Sequence, residues 1–139
     1  MDALGFDNVD PEENATFFRQ RFSAEIDAAT VIPAIEEGGE GFLLVDVRDP
    51  ESFQKGHVEG AVNIPFQQLG KAMNALDPEQ NILTYCYDHP CLLSARAARM
   101  LSSKGFKVKD VIGGFEDFEK KGAPIVTGEG PELAAATAN

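Results

Sequence analysis

Between residues 42 and 121 the chain alternates short, unbroken apolar runs with stretches of helical composition, and this rhythm constrains the fold more than any other feature. The runs are FLLVDV at 42–47, AVNI at 61–64, ILTYC at 82–86 and KDVI at 109–112. Several of them are apolar at consecutive positions, so both faces of the strands must be covered, as they are in parallel sheets. Residues 49–55, 66–76, 94–104 and 115–121 separate or follow the runs and read as helices. Strand and helix in alternation imply right-handed crossovers. The expected class is therefore α/β, with a mostly parallel central sheet flanked by helices on both faces. Ligands of such sheets sit beyond the carboxyl ends of the strands.

The ends of the chain have a different character. Asp10-Pro11-Glu12-Glu13 is a helix start with a capping carboxylate and dipole-compatible acids. Ala15, Phe18 and Phe22 then recur at helical spacing, which predicts an extra N-terminal helix docked on the core by an aromatic stripe. A second short helix is expected at about 31–37, capped by Thr30, with Pro33 in its first turn and Gly38-Gly39 as its stop. Residues 1–25 are thus read as a helical extension, 26–126 as the α/β domain and 127–139 as a flexible tail poor in large apolar residues.

Charge narrows the partners. Twelve Lys and Arg against 23 Asp and Glu leave a net −11, which repels phosphate backbones, so no nucleic acid is expected as a partner. No apolar run approaches the roughly 18 residues of a membrane span, and no membrane association is expected. MDALGFDNVDPEE has neither the basic nor the apolar segment of a secretory signal, which makes a cytoplasmic location the default expectation.

Chemistry concentrates after ILTYC. Cys86 closes that strand, and YDHPCLL leads into a helix beginning near Ser94. A cysteine facing loop amides and a helix amino terminus occupies a place where a thiolate is stabilised. The alternative is a small buried hydrophobe that only closes the strand.

At this point the chain resembles the rhodanese-like family over roughly residues 26–125. LVDVRDPESFQKGHVEGAVNIP at 44–65 follows the first family signature, with Asp46, Arg48, Phe53, His57, Gly60, Ala61 and Pro65 in place. GGFEDF at 113–118 resembles the second, and Ser94, Ala97, Ala98 and Gly105 fit the helix after the active loop. The resemblance implies a rhodanese-like fold and a sulfurtransferase that carries sulfane sulfur as a persulfide on Cys86, with no cofactor. Its partners would be a small sulfur donor, thiosulfate or another persulfide donor, and a protein persulfide or thiol acceptor.

The loop departs from the family pattern. Eight positions separate Cys86 from Ser94 where the family commonly has about six, so Tyr87, Asp88, His89, Pro90, Cys91, Leu92 and Leu93 form a longer loop. Leu93 stands where the family has an arginine, and Pro90 punctuates the loop in place of a glycine. Without that fixed cation, and with strong net negative charge, thiosulfate is expected to be a poor donor. Arg96 lies within the following helix and is not spaced like the loop arginine. A phosphatase pattern of cysteine, five residues and arginine is excluded, because the count from Cys86 reaches Leu92 and from Cys91 reaches Ala97.

Cys91 offers a second sulfur that could resolve a persulfide or sulfenate on Cys86, or it packs on the first helical turn. Asp88 and His89 are auxiliary candidates that could tune the cysteine, or they form an ordinary polar turn. A metal held by Cys86, His89 and Cys91 lacks a fourth ligand, so no metal site is assigned. Asp46, Arg48 and His57 are read as scaffold: a carboxylate satisfying backbone donors, an arginine tying down a neighbour such as Glu51, and a histidine making a fixing hydrogen bond. Two other function classes remain beside sulfur transfer: a non-catalytic interaction or regulatory module, and a thiol redox element using Cys86 and Cys91.

Overall fold

The computed structural model describes residues 2–133. It contains α1 (Pro11–Ala24), β1 (Glu25–Asp27), α2 (Ala28–Glu36), β2 (Leu43–Asp46), α3 (Pro50–Lys55), β3 (His57–Val58), β4 (Val62–Asn63) and α4 (Phe66–Ala72), then β5 (Asn81–Tyr85), α5 (Leu93–Ser103), β6 (Lys107–Ile112), α6 (Gly114–Lys120) and β7 (Ile125–Val126). Five strands form one parallel sheet in the order β1-β6-β5-β2-β4. The two short strands β3 and β7 pair antiparallel beside it.

All four residues of β2 are buried because the sheet is covered twice. Leu44 joins a cluster with Val31, Ile32 and Ile35 of α2 and Phe118 of α6, while Leu43 and Val45 join Leu69 of α4 and Ala97 and Leu101 of α5. Successive strand residues point to opposite faces, so a continuous apolar run serves two cores at once. Tyr85 and Phe118 meet edge to face, with ring centroids 5.3 Å apart, at the centre of the first cluster.

Three expectations need correction. The N-terminal helix forms, with Asp10 capping the amides of Glu12 and Glu13, but none of its residues is buried, and Phe18 and Phe22 remain 45% and 73% exposed. Helical spacing puts aromatic residues on one face and says nothing about whether another element covers it. The second helix starts at Ala28, so Pro33 lies inside it and not in its first turn. Thr30 hydrogen-bonds the side chain of Asp27 at the start, and burial of Ala28, Val31, Ile32 and Ile35 offsets the backbone bond that proline removes. The stretch after Val126 is held over its first residues: the Gly128 amide donates to the Gln54 carbonyl at 2.8 Å, and Leu133 packs on the cluster of the α4 and α5 face. Residues 134–139 of the expected tail lie outside the described residues.

The contrast between the two aromatic sets is measurable by urea denaturation. Phe118→Ala removes a fully buried ring and should cost about 3–5 kcal/mol. Phe22→Ala should change stability by no more than about 0.5 kcal/mol.

Candidate active site

The first strand of the core and the turn after it build a rigid frame. Asp46 ends β2 with no exposure, and its carboxylate accepts from the Arg48 amide at 2.9 Å and from the Arg48 guanidinium at 2.8–3.1 Å. Arg48 also donates to the Gly56 carbonyl at 2.6 Å, and its guanidinium lies 4.2 Å from the Phe115 ring centroid. Burial opposes the guanidinium charge, but hydrogen bonding and the charge of Asp46 outweigh it and hold Arg48 above its ordinary pKa. Arg48 was expected to reach a carboxylate such as Glu51. Glu51 instead pairs with Lys55 at 3.4 Å on the surface, because the Arg48 side chain turns inward to the acid two residues before it. His57 is buried, donates from Nδ1 to the Phe53 carbonyl at 2.8 Å, and stacks on the Phe53 ring at 3.7 Å.

Cys86 follows β5 directly and is 1% exposed. Its carbonyl accepts from the Phe115 amide at 2.8 Å, and the Tyr87 carbonyl accepts from the Glu116 amide at 3.0 Å. This close approach explains Gly114, whose φ of +60° lies in the left-handed region. A methyl group there would stand 2.7 Å from the Cys86 carbonyl oxygen and 2.8 Å from the Asp88 nitrogen. The Tyr87 hydroxyl donates to the Asp49 carboxylate and accepts from the Asp49 amide at 3.3 Å, so the loop is tied to the start of α3. That hydrogen bond, together with those from Ser52, holds Asp49 well below the usual carboxylate range.

The thiol of Cys86 lies 3.3 Å from the Ser94 hydroxyl and 3.7 Å from the Cys91 carbonyl oxygen. Burial first, and the neighbouring Cys91 side chain second, push it up to about 11, against a smaller opposing effect of Ser94. This overturns the expectation of a stabilised thiolate: the sulfur faces a carbonyl, a hydroxyl and another thiol. Asp110 of β6 accepts from Thr84 Oγ1 at 3.4 Å, and the nearby Ser94 side chain favours its charged form. Burial raises the pKa of Asp110, making its carboxylate a better proton acceptor than an exposed one.

Beyond the loop lies a cavity of about 230 Å³ whose walls include Cys91, Asp88, His89, Ser94 and Asp110, with Arg21 and Glu25 from the N-terminal segment. Arg21, Glu25 and Asp110 have no sequence signal near the cysteine. The register of β1 on β6, which sets Glu25 opposite Asp110, brings two of them together. Arg21 supplies a cation where the loop has none, but Glu25 engages it at 2.5 Å. Arg96 does not line this cavity. Of the other loop residues, Asp88 accepts from the Cys91 amide at 3.1 Å, while His89 is largely exposed and lies 3.4 Å from Asp117. Pro90 and Leu92 are exposed, and Leu93 packs on the cluster containing Cys86.

Strand order, the paired glycines and a cysteine at the strand end together define a family. The chain belongs to the rhodanese-like domain family, whose sequence model matches residues 27–121. It is 35% identical over 92 residues to the HTH-type transcriptional regulator Rv0324 of Mycobacterium tuberculosis, a match covering 66% of this chain and 40% of that protein. It is 37% identical over 83 residues to the thiosulfate sulfurtransferase GlpE of Vibrio cholerae, covering 59% of this chain and 76% of the relative. Thus the chain spans less than half the length of the first relative and about three quarters of the second. The solved structure of the BH2092 protein from Bacillus halodurans superposes with a TM-score of 0.77 at 32% identity, covering 85% of this chain and 87% of that one. A rhodanese-related protein from Thermoplasma volcanium gives 0.66 at 27% identity, covering 74% and 97%. Among the described residues, no helix is long and apolar enough to cross a membrane.

With the thiol at about 11, roughly one Cys86 in 10⁴ is ionised at pH 7. Its alkylation rate, resolved from that of Cys91 by fragment mass, should rise about tenfold per pH unit until it levels near 11. A plateau already reached near neutrality would contradict the geometry described.

Proposed function

We propose that the protein is a sulfurtransferase that carries sulfane sulfur as a persulfide on Cys86. The observation that carries this reading is a free thiol at the carboxyl end of β5, on a fold whose relatives include thiosulfate sulfurtransferases, with the Ser94 hydroxyl at 3.3 Å and the half-buried Asp110 carboxylate lining the same cavity as Ser94. The Cys86 sulfur attacks the outer sulfur of a donor persulfide. A bond forms between Cys86 Sγ and that sulfur, the donor S–S bond breaks, and the donor leaves as its thiolate. The Cys86 proton passes to the Ser94 oxygen as the Ser94 proton moves to Asp110, so the nucleophile forms only as it reacts. An acceptor thiol then takes the outer sulfur and returns Cys86 to the thiol.

The cavity walls favour some donors over others. Arg21 is matched by Glu25, which leaves Asp88 and Asp110 as further acids at the mouth. A dianion such as thiosulfate meets repulsion there, whereas a thiol persulfide with little negative charge does not.

Incubation with a persulfide donor should add one sulfur atom to the intact mass of a Cys91→Ser variant, and nothing to Cys86→Ala. Thiosulfate at equal concentration should add far less. A gain surviving in Cys86→Ala would defeat the assignment. Separately, Asp110→Asn should slow sulfur loading about 100-fold at pH 7 and recover toward the wild-type rate as pH approaches that of the free thiol's ionisation. An equal loss at every pH would assign Asp110 a merely structural part.

A further inference from the structure

Cys91 has no part in the transfer just described, yet it is the thiol that the cavity exposes. The walls of the 230 Å³ space include Cys91, Asp88 and Ser94, while Cys86 lies behind them. The turn through His89 and Pro90 is closed by the Cys91 amide, which donates to the Asp88 carbonyl at 3.3 Å and to the Asp88 carboxylate at 3.1 Å. This turn folds Cys91 back over the end of β5, so that its carbonyl oxygen comes within 3.7 Å of Cys86 Sγ. Pro90 therefore sits in the bend that returns the Cys91 backbone to Cys86. The Cys91 side chain also raises the pKa of Cys86, as a close neighbour does.

We propose that Cys91 is the resolving thiol of this site, attacking the inner sulfur of the Cys86 persulfide to expel hydrosulfide and close a Cys86–Cys91 disulfide. The inference rests on the persulfide reading and names the first acceptor that the loaded cysteine meets. In the step, the bond between Cys86 Sγ and the outer sulfur breaks, and a bond between Cys86 Sγ and Cys91 Sγ forms. The outer sulfur departs with the bonding electron pair and the Cys91 proton as hydrosulfide. The two cysteine sulfurs are oxidised to the disulfide, the sulfane sulfur is reduced to sulfide, and no outside oxidant enters. An external dithiol restores both thiols by two exchange steps. The site would thus convert a persulfide donor into sulfide at the expense of a dithiol reductant.

Position favours this route over capture by a free acceptor. Cys86 Sγ is shielded from a bulky thiol, whereas Cys91 reaches it across four intervening residues at an effective concentration on the order of millimolar. At about 10 μM protein without added thiol, the internal reaction should be about 100-fold faster than attack by a second molecule.

The test is to load the protein with cysteamine persulfide, a small donor without net negative charge, remove excess donor, and follow sulfide release and intact mass. The wild type should release one sulfide per chain and end lighter by two hydrogens than the reduced protein. Peptide mapping without reductant should show Cys86 linked to Cys91. Cys91→Ser should keep the added sulfur and release sulfide about 100-fold more slowly. A wild type that holds its persulfide as long as the variant does would overturn the inference and leave the persulfide reading standing. No added sulfur on either protein, with no sulfide released, would defeat both. The wild-type peptide map decides the matter even if the variant fails to fold.

Discussion

The Arg48 guanidinium is buried with nowhere to place its charge except on Asp46, and that necessity organises the functional end of the sheet. Asp46 ends β2, the Gly56 carbonyl that Arg48 also binds ends α3, and the Phe115 ring beneath it opens α6. Three elements distant in sequence therefore share one cation. Removing two charges from water costs several kcal/mol per ion, and the two-point pairing with Asp46 must offset this, so the arrangement is worth more as a fixed geometry than as a source of stability. Because α6 is held there, its first amides meet the carbonyls of Cys86 and Tyr87, and the reactive cysteine inherits its position from a salt bridge that it never touches.

Within that frame the cysteine is placed for controlled reactivity. Sulfur sites commonly lower a thiol pKa with a nearby cation. Here burial and the neighbouring thiol do the opposite, and Ser94 beside the sulfur offsets them only in part. In the transfer proposed above, such a thiol is activated only where a proton can pass to Asp110. On the same proposal the cavity filters donors by charge, since its single arginine is paired with Glu25 and Asp88 and Asp110 remain as acids.

The sequence made the core strands legible for a plain physical reason. FLLV at 42–45 is apolar at four consecutive positions, and only a doubly covered strand tolerates that. The glycine pair at 113–114, Asp46, Arg48, His57 and Cys86 were all recognisable from the family pattern. What stayed hidden was nonlocal or too short to carry a period. β1 has three residues and β3 and β7 two each, so no alternation could announce them. Arg21, Glu25 and Asp110 reach the cavity through the pairing of β1 on β6, which no local spacing encodes. Phe18 and Phe22 misled in the opposite sense, since their spacing described a helix face correctly but gave no information on whether anything packs against it.

The claim on which this account turns is that Cys86 is the sulfur carrier, held in place by the frame and loaded from the cavity. A crystal structure of the Cys91→Ser protein loaded with cysteamine persulfide addresses it most directly. The account predicts one added sulfur at about 2.05 Å from Cys86 Sγ, beside Ser94, with the Asp46–Arg48 pair unmoved. An unmodified Cys86 in crystals of protein whose mass shows an added sulfur would contradict it.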